Sequence, residues 1–167
     1  ATTLNGGTNY VKVDLDSSSA TVYTSADVST LDVDGYIDIE NIIGSKNNDI
    51  FIMKQASIAN TIDGSNGIDT ISYEKYNTSV TVDLSATNGI NTVTTGDVDT
   101  ILNIENLTGG TAGDFLTGNA LSNVIKGGAG ADTIFSSKGT DTVDGGTSNA
   151  DVDEMNYANR GKSIVLT

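Results

Sequence analysis

Large apolar residues in this chain are sparse, and their spacing is regular. From Gly109 onward, ungapped nine-residue units run 109–117, 118–126, 127–135 and 136–144, with Leu116, Ile125, Ile134 and Val143 in eighth place. Sixth place holds Asp114, Asn123, Asp132 and Asp141. A fifth unit opens at Gly145-Gly146 and carries a three-residue insertion, after which Asp153, Met155 and Tyr157 repeat the spacing of Asp69, Ile71 and Tyr73. An upstream block has the same form over 44–52, 55–63 and 64–72, with a two-residue slip before 55. Its sixth places are Asp49, Asn60 and Asp69, and its eighth places Phe51, Ile62 and Ile71. Around each eighth place the alternation has period two, which predicts a short strand with one apolar side chain turned inward.

A longer repeat is superimposed. Asp32-Val33-Asp34 followed by residues 37–51 aligns without a gap to Asp97-Val98-Asp99 followed by 102–116, an offset of 65 residues. Before each copy lies an alternating strand, 11–15 and 80–84, and a third copy begins at Ser163. Each long unit reads as strand, variable loop, Ile-Glu-Asn hinge and nine-residue block. The reading divides the chain into 1–72 and 73–167, continuous with each other, and makes it an excerpt of a longer repeat protein. No window sustains helical periodicity, and Gly, Asn, Asp and Thr oppose helix. The prediction is an all-β chain.

Glycine explains the geometry. It reaches positive φ without penalty and so permits a tight turn in every unit. Two units make one coil of a flattened spiral, so every second turn stacks on the same edge. A narrow aliphatic column shared between coils also suits a chain with only 37% hydrophobic and 5% aromatic residues.

Charge then indicates what the turns hold. The formal net charge is −14, which repels nucleic acid and anionic membrane. The acids are 18 Asp against 4 Glu, a bias toward short carboxylates in turns rather than solvated helix faces. Stacked turns bring aspartates and carbonyls together around gaps that suit Ca²⁺, which accepts six to eight oxygens in irregular geometry, better than Mg²⁺. With no His and no Cys, the usual general base and the nitrogen and sulfur metal ligands are missing. No stretch is long and apolar enough to span a bilayer.

GGAGADTIF at 127–135 and its in-register neighbours resemble the repeats-in-toxin (RTX) nonapeptide. The Ile-Glu-Asn segments look like those flanking such blocks in large RTX proteins, polysaccharide epimerase modules among them. The resemblance implies a parallel β-roll, or β-helix solenoid, binding several Ca²⁺ ions in its Gly/Asp-rich turns. The implied ligands are the sixth-place side chains of Asp49, Asn60, Asp69, Asp114, Asn123, Asp132, Asp141 and Asp153, with turn carbonyls at Gly64, Gly67, Gly109, Gly127, Gly130 and Gly145. Coil neighbours would pair as Asp49 with Asp69, Asp114 with Asp132, Asn123 with Asp141, and Asp132 with Asp153. Units 55–63 and 118–126 carry Asn and few glycines, so full sites are expected on one edge and partial ones on the other. Asp32, Asp34, Asp97 and Asp99 fit either further ligands or solvated loop charges. Glu40 and Glu105 fit a hinge hydrogen bond or ligand better than catalysis, and Tyr73, Tyr76 and Tyr157 fit core caps better than sugar platforms.

The functional expectation is a calcium-dependent structural or interaction module of a secreted or cell-surface bacterial protein, of S-layer or adhesin type, exported by type I secretion. Its partners would be calcium and either polysaccharide or neighbouring copies of itself, without membrane insertion. The alternative is a carbohydrate-binding accessory module of a polysaccharide-modifying enzyme such as an alginate epimerase. No nucleophile–base constellation supports catalysis by the module itself.

Overall fold

The computed structural model describes residues 10–15, 19–24, 27–35, 39–55, 59–86, 89–94, 97–135, 137–146 and 151–158. Among them every regular element is a strand. A meander of β1 (Tyr10–Asp14), β2 (Ser19–Thr24) and β3 (Asp27–Gly35) leads into the first block, β4 (Asn41–Ile43), β5 (Ile50–Ile52), β6 (Thr61–Asp63) and β7 (Thr70–Ser72). Then come β8 (Thr81–Asp83), β9 (Ile90–Thr94) and β10 (Asp97–Leu102). The second block is β11 (Asn106–Thr108), β12 (Phe115–Thr117), β13 (Val124–Gly128), β14 (Thr133–Phe135), β15 (Thr142–Gly146) and β16 (Glu154–Asn156). The beginning of the third long copy, at Ser163, lies outside the described residues.

The strands form two faces of a parallel β-roll. One face is an eight-stranded sheet in the order β15-β13-β11-β7-β5-β1-β2-β3. The other comprises two four-stranded sheets, β4-β6-β10-β9 and β16-β14-β12-β8. Within each block, successive strands alternate between faces and pair in parallel with strands one coil away. Eighth-place residues therefore fall into columns: Phe51 pairs with Ile71, Ile71 with Leu107 and Leu107 with Ile125 on one face. On the other, Val82 pairs with Leu116, Leu116 with Ile134, and Ile134 with Met155. Phe51, Ile62, Ile71 and Leu116 are completely buried. One aliphatic per unit suffices because each is covered by the coils above and below and by the opposite face.

The long repeat exchanges faces. Phe51 in β5 corresponds to Leu116 in β12, and each pairs with the alternating strand that opens its own copy, Val13 in β1 and Val82 in β8. Yet β5 lies in the eight-stranded sheet and β12 in the opposite face. The variable loop is also more regular than its composition suggests. Asp97–Leu102 is strand β10, paired antiparallel with β9 and parallel with β6, where Ile101 meets Ile62. Its inward side chains are Asp99 and Ile101, with Val98 and Leu102 exposed on the other side, so the strand buries an aspartate that composition assigns to a loop.

Tyr73 and Tyr76 are fully buried where the first block hands over to the second. Their rings meet edge to face, with centroids 5.1 Å apart at 81°, a favoured aromatic geometry. The Tyr76 hydroxyl donates to the Lys54 carbonyl at 2.8 Å and the Tyr73 hydroxyl to Asp99 Oδ2 at 3.2 Å. These rings cap the core, and each polar tip has a partner.

Candidate metal sites

Each sixth-place residue ends a turn, immediately before a strand. Where that residue is aspartate, its side chain reaches back to the preceding coil and one oxygen accepts a backbone amide; Asn123 instead donates Nδ2 to the Glu105 carbonyl at 2.7 Å. Asp49 N–H donates to Asp69 Oδ1 at 2.7 Å, Asp114 N–H to Asp132 Oδ1 at 2.8 Å, Asn123 N–H to Asp141 Oδ1 at 3.1 Å, and Asp132 N–H to Asp153 Oδ1 at 3.0 Å. The four neighbour pairs read from the repeat are thus stacked neighbours, linked carboxylate to amide. The ladder begins on the opening strand of each long unit: Val11 N–H donates to Asp49 Oδ1 and Val80 N–H to Asp114 Oδ1.

The ladder includes residues that do not belong to nonapeptide units. Asp99 stands one coil beyond Asn60 and accepts from its backbone N–H at 3.1 Å and its Nδ2 at 3.0 Å. Glu105 stands one coil beyond Asp69 and takes its N–H on Oε2 at 2.8 Å. Asp99 is fully buried, and desolvation holds its carboxyl above the usual carboxylate range against these hydrogen bonds. It is therefore not a solvated loop charge; it anchors the coil. The side chains of Asp32 and Asp34 lie outside the described residues. Tyr73→Phe removes a donor from the buried Asp99 carboxylate and should cost about 1–3 kcal/mol, read as a lower melting temperature in calcium. An unchanged melt would refute the anchor role.

The second carboxylate oxygen faces outward along the stack. Beside each first-place glycine, the point where a Cβ would lie is bounded by this oxygen and by a backbone carbonyl of the following coil. At Gly44 the walls are Asp49 Oδ2 and Gly64 O, each 2.6 Å from that point. At Gly64 they are Asp69 Oδ2 and Asn103 O, at Gly109 Asp114 Oδ2 and Gly127 O, and at Gly127 Asp132 Oδ2 and Gly145 O. At Gly118 the walls are the amide oxygen of Asn123 and the Ser137 hydroxyl, a neutral set. At Gly145 the nearest atoms all belong to Asp153. Among the described residues no three acidic side chains gather at one point. At Gly44, Gly64, Gly109 and Gly127 one carboxylate oxygen and one carbonyl meet, oxygen donors of the kind a hard cation accepts.

Two of these oxygens test the fit. Asp69 Oδ2 and Asp132 Oδ2 are buried and accept no hydrogen bond, whereas Asp49 Oδ2 takes Ser45 N–H and Asp114 Oδ2 takes Gly110 N–H. A buried anionic oxygen facing a carbonyl calls for a cation or a proton. Desolvation, helped by the neighbouring charges of Asp49, Glu105 and Asp63, pushes the Asp69 carboxyl up to about 7. Asp132 is pushed up to about 6, again chiefly by burial and further by Asp114, Asp153 and Asp151. Burial also raises Asp114.

A sign follows. The folded, metal-free chain keeps protons on Asp69 and Asp132 that the unfolded chain releases near pH 4, so its stability falls as pH rises from about 4 to about 7. In chelator, whatever strand signal persists should be stronger at pH 5 than at pH 8. In calcium, binding should release protons and tighten across the same window. A chelated strand signal that rises with pH would contradict this assignment of the two carboxyls.

The turns also require glycine for conformation. Gly67 and Gly130 have φ of +143° and +101° and pass against the backbone of the preceding coil, at Asn47 and at Ala112. Carboxylate-walled spaces lie on one edge of the roll in the first block and on the opposite edge in the second, where Asn60 and Asn123 occupy the complementary edges. The single full edge expected from sequence is thus full within each block and changes sides between them, because the long repeat exchanges faces.

Comparison with known families agrees in kind over part of the second block. Residues 117–149 match the family model described as RTX calcium-binding nonapeptide repeat (4 copies). That segment is similar to RTX repeats. RTX nonapeptide repeats bind calcium ions, are non-catalytic structural modules and are typical of secreted proteins. The matched segment contains Asn123, Gly127, Gly130, Asp132, Asp141 and Gly145. No curated protein matches the chain. Among the described residues no helix is long and apolar enough to cross a membrane. Sequence reasoning missed Gly44 as a pocket wall, the Asn103 carbonyl and the opening amides of Val11 and Val80. The 65-residue alignment, which pairs Glu40-Asn41 with Glu105-Asn106, was the available signal for Glu105.

Proposed function

We propose that this chain is a structural and interaction module whose folding is completed by calcium, within a secreted or cell-surface bacterial protein of S-layer or adhesin type. The observation that carries the reading is the pair of buried, unbonded oxygens Asp69 Oδ2 and Asp132 Oδ2, each facing a carbonyl of the next coil. Calcium would supply the positive charge that lets stacked carboxylates remain ionised when buried. The chain supplies the alignment: Oδ1 of each sixth-place aspartate is fixed by an amide of the preceding coil, which orients Oδ2 toward the following one. Glycine at first place leaves the space open.

In this reading the candidate ligands are Asp49, Asp69, Asp114 and Asp132 with the carbonyls that face them. Asn60 and Asn123 make weaker positions, and Asp141 and Asp153 lie at the end of the stack. Units 1–72 and 73–167 act as one rod, joined where β11 pairs with β7. Extracellular modules bind calcium with dissociation constants of about 10⁻⁴–10⁻³ M. The chain would therefore stay unfolded in low-calcium cytosol, as type I export requires, and stiffen outside. Circular dichroism and thermal melting in millimolar calcium, then in excess chelator, test this. At neutral pH, strand signal and a cooperative melt should require calcium. A spectrum and melt unchanged by chelation would refute it.

A further inference from the structure

Inside the roll, the glycine turn 64–69 of the first block stacks on the hinge 103–105 of the second long unit, as β10 pairs with β6 and β11 with β7. The hinge is shorter than a glycine turn, since β10 ends at Leu102 and β11 begins at Asn106. Its carbonyls have two uses. Ile104 O accepts Asn119 Nδ2 at 2.8 Å and Glu105 O accepts Asn123 Nδ2 at 2.7 Å, so side-chain amides of the following coil occupy them. Asn103 O instead bounds the space beside Gly64, together with the buried, unbonded Asp69 Oδ2. Among the four spaces that join a carboxylate to a carbonyl, this one draws its walls from both long units, 1–72 and 73–167. The Gly44 space lies within the first unit, and the Gly109 and Gly127 spaces lie within the second.

Asn103 differs from the other carbonyl donors. In the remaining three spaces the carbonyl comes from a first-place glycine: Gly64, Gly127 or Gly145. Asn103 stands outside the nine-residue units and has φ of +52°, a left-handed conformation that disfavours residues with a Cβ, asparagine less than most. Asp63 holds it there. Asp63 Oδ1 accepts Ser65 N–H at 2.9 Å, closing a turn of the kind that Asp144 makes with Gly146 N–H. The same Asp63 oxygen accepts Asn103 Nδ2 at 2.7 Å. One atom thus ties the turn of the first block to the hinge of the second unit. The far end of the hinge is tied by Glu105 Oε2, which takes Asp69 N–H, and by Glu105 and Asn106 N–H, which donate to Asp69 O. The nearest atoms to the Gly64 space belong to Asn103 and Asp69, not to Asp63.

We propose that the ion beside Gly64 joins the two long units, and that Asp63 is its positioning residue, pinning Asn103 in the left-handed conformation that sets the Asn103 carbonyl beside Asp69 Oδ2. Both walls of this space exist only once β10 and β11 lie on β6 and β7. Calcium at this place therefore couples the folding of the units, because metal-binding free energy becomes folding free energy for whichever segments supply the ligands. This assignment rests on the calcium-dependent folding proposed above and names the ion that makes one rod of two blocks.

Isothermal calcium titration of the full chain at neutral pH tests the proposal, with hydrogen exchange of β5–β7 and β12–β14 followed over the same calcium series. Asp63→Ala removes the pin and should weaken one ion about tenfold or more. Protection of β5–β7 should then lag behind that of β12–β14 as calcium rises. Asp63→Asn keeps an acceptor oxygen without the charge and should titrate within about twofold of the unmodified chain. Glycine reaches positive φ unaided, so adding Asn103→Gly to Asp63→Ala should recover the lost affinity. A loss caused by the Ser65 turn alone would not be recovered by that change. If Asp63→Ala does not fold at saturating calcium, Asn103→Ala is compared with Asn103→Gly instead, and only the alanine variant should lose affinity. An Asp63→Ala chain that needs calcium to fold yet titrates like the unmodified one would overturn the assignment and leave calcium-dependent folding intact. So would an Asp63→Asn chain that loses as much as Asp63→Ala, or a glycine at 103 that recovers nothing. An unmodified chain that folds fully in chelator would instead refute calcium-dependent folding, and the joining ion with it.

Discussion

Asp132→Ala lowers the calcium affinity of the chain about tenfold or more, since a lost hydrogen bond to a charged group is worth roughly 1.5–3 kcal/mol and 1.4 kcal/mol is a factor of ten. Asp132 serves two coils at once. Its Oδ1 accepts Asp114 N–H at 2.8 Å, and its buried Oδ2 faces the Gly145 carbonyl. Alanine strands the Asp114 amide and removes the carboxylate that walls the Gly127 space. The control lies twelve residues on in the same acidic stretch. Asp144 is exposed, and its Oδ1 takes Gly146 N–H at 3.2 Å within its own turn. Asp144→Ala should leave affinity within about twofold, as surface substitutions usually do. Isothermal titration of both variants decides the matter; equal losses would show that sixth place has no special role.

Gly127→Val has an effect of similar or greater size by a different route. It leaves every acidic group in place and fills the space between Asp132 Oδ2 and the Gly145 carbonyl with a branched side chain. Overpacking of this kind costs roughly 1–3 kcal/mol before any loss of the cation. The second block should then need far more calcium to fold, and calcium titration followed by circular dichroism should show a right-shifted or incomplete transition. Ala131→Ser, exposed on the same turn, provides the control and should leave the transition in place. If Gly127→Val folds at the same calcium concentration as the unmodified chain, the space beside Gly127 is not where the ion is held.

The roll itself was legible from sequence because its cause is local. A strand of three residues with one inward aliphatic, followed by a glycine turn, repeats at constant spacing, so Phe51, Ile71, Leu116 and Ile134 can be placed in columns from that spacing alone. The stacked pairs of sixth-place residues follow from the same period. What the sequence did not disclose depends on counting coils or on backbone partners. The exchange of faces between β5 and β12 follows from how many strands separate the two copies, and no single residue encodes it. β10 was hidden because Asp97 and Asp99 suggest a loop, and because the residue that turns inward beside Ile101 is Asp99 rather than Val98. The use of Oδ1 on a neighbouring amide was also unreadable, because backbone donors have no letter in the sequence. That use explains why sixth place favours aspartate: one oxygen holds the stack and the other remains for a cation. Asparagine at 60 and 123 keeps the stack by donating Nδ2 to a neighbouring coil, but brings no charge.

The most direct test of the central claim is a crystal structure grown in calcium, with the ions located by their anomalous scattering. The account predicts ions on both edges, each bonded to Oδ2 of a sixth-place aspartate and to carbonyls of the adjoining coil, at Asp69 and Asp132 first of all. Folded rolls with no ion at those two carboxylates, or with calcium held only at surface acids away from the glycine turns, would contradict it.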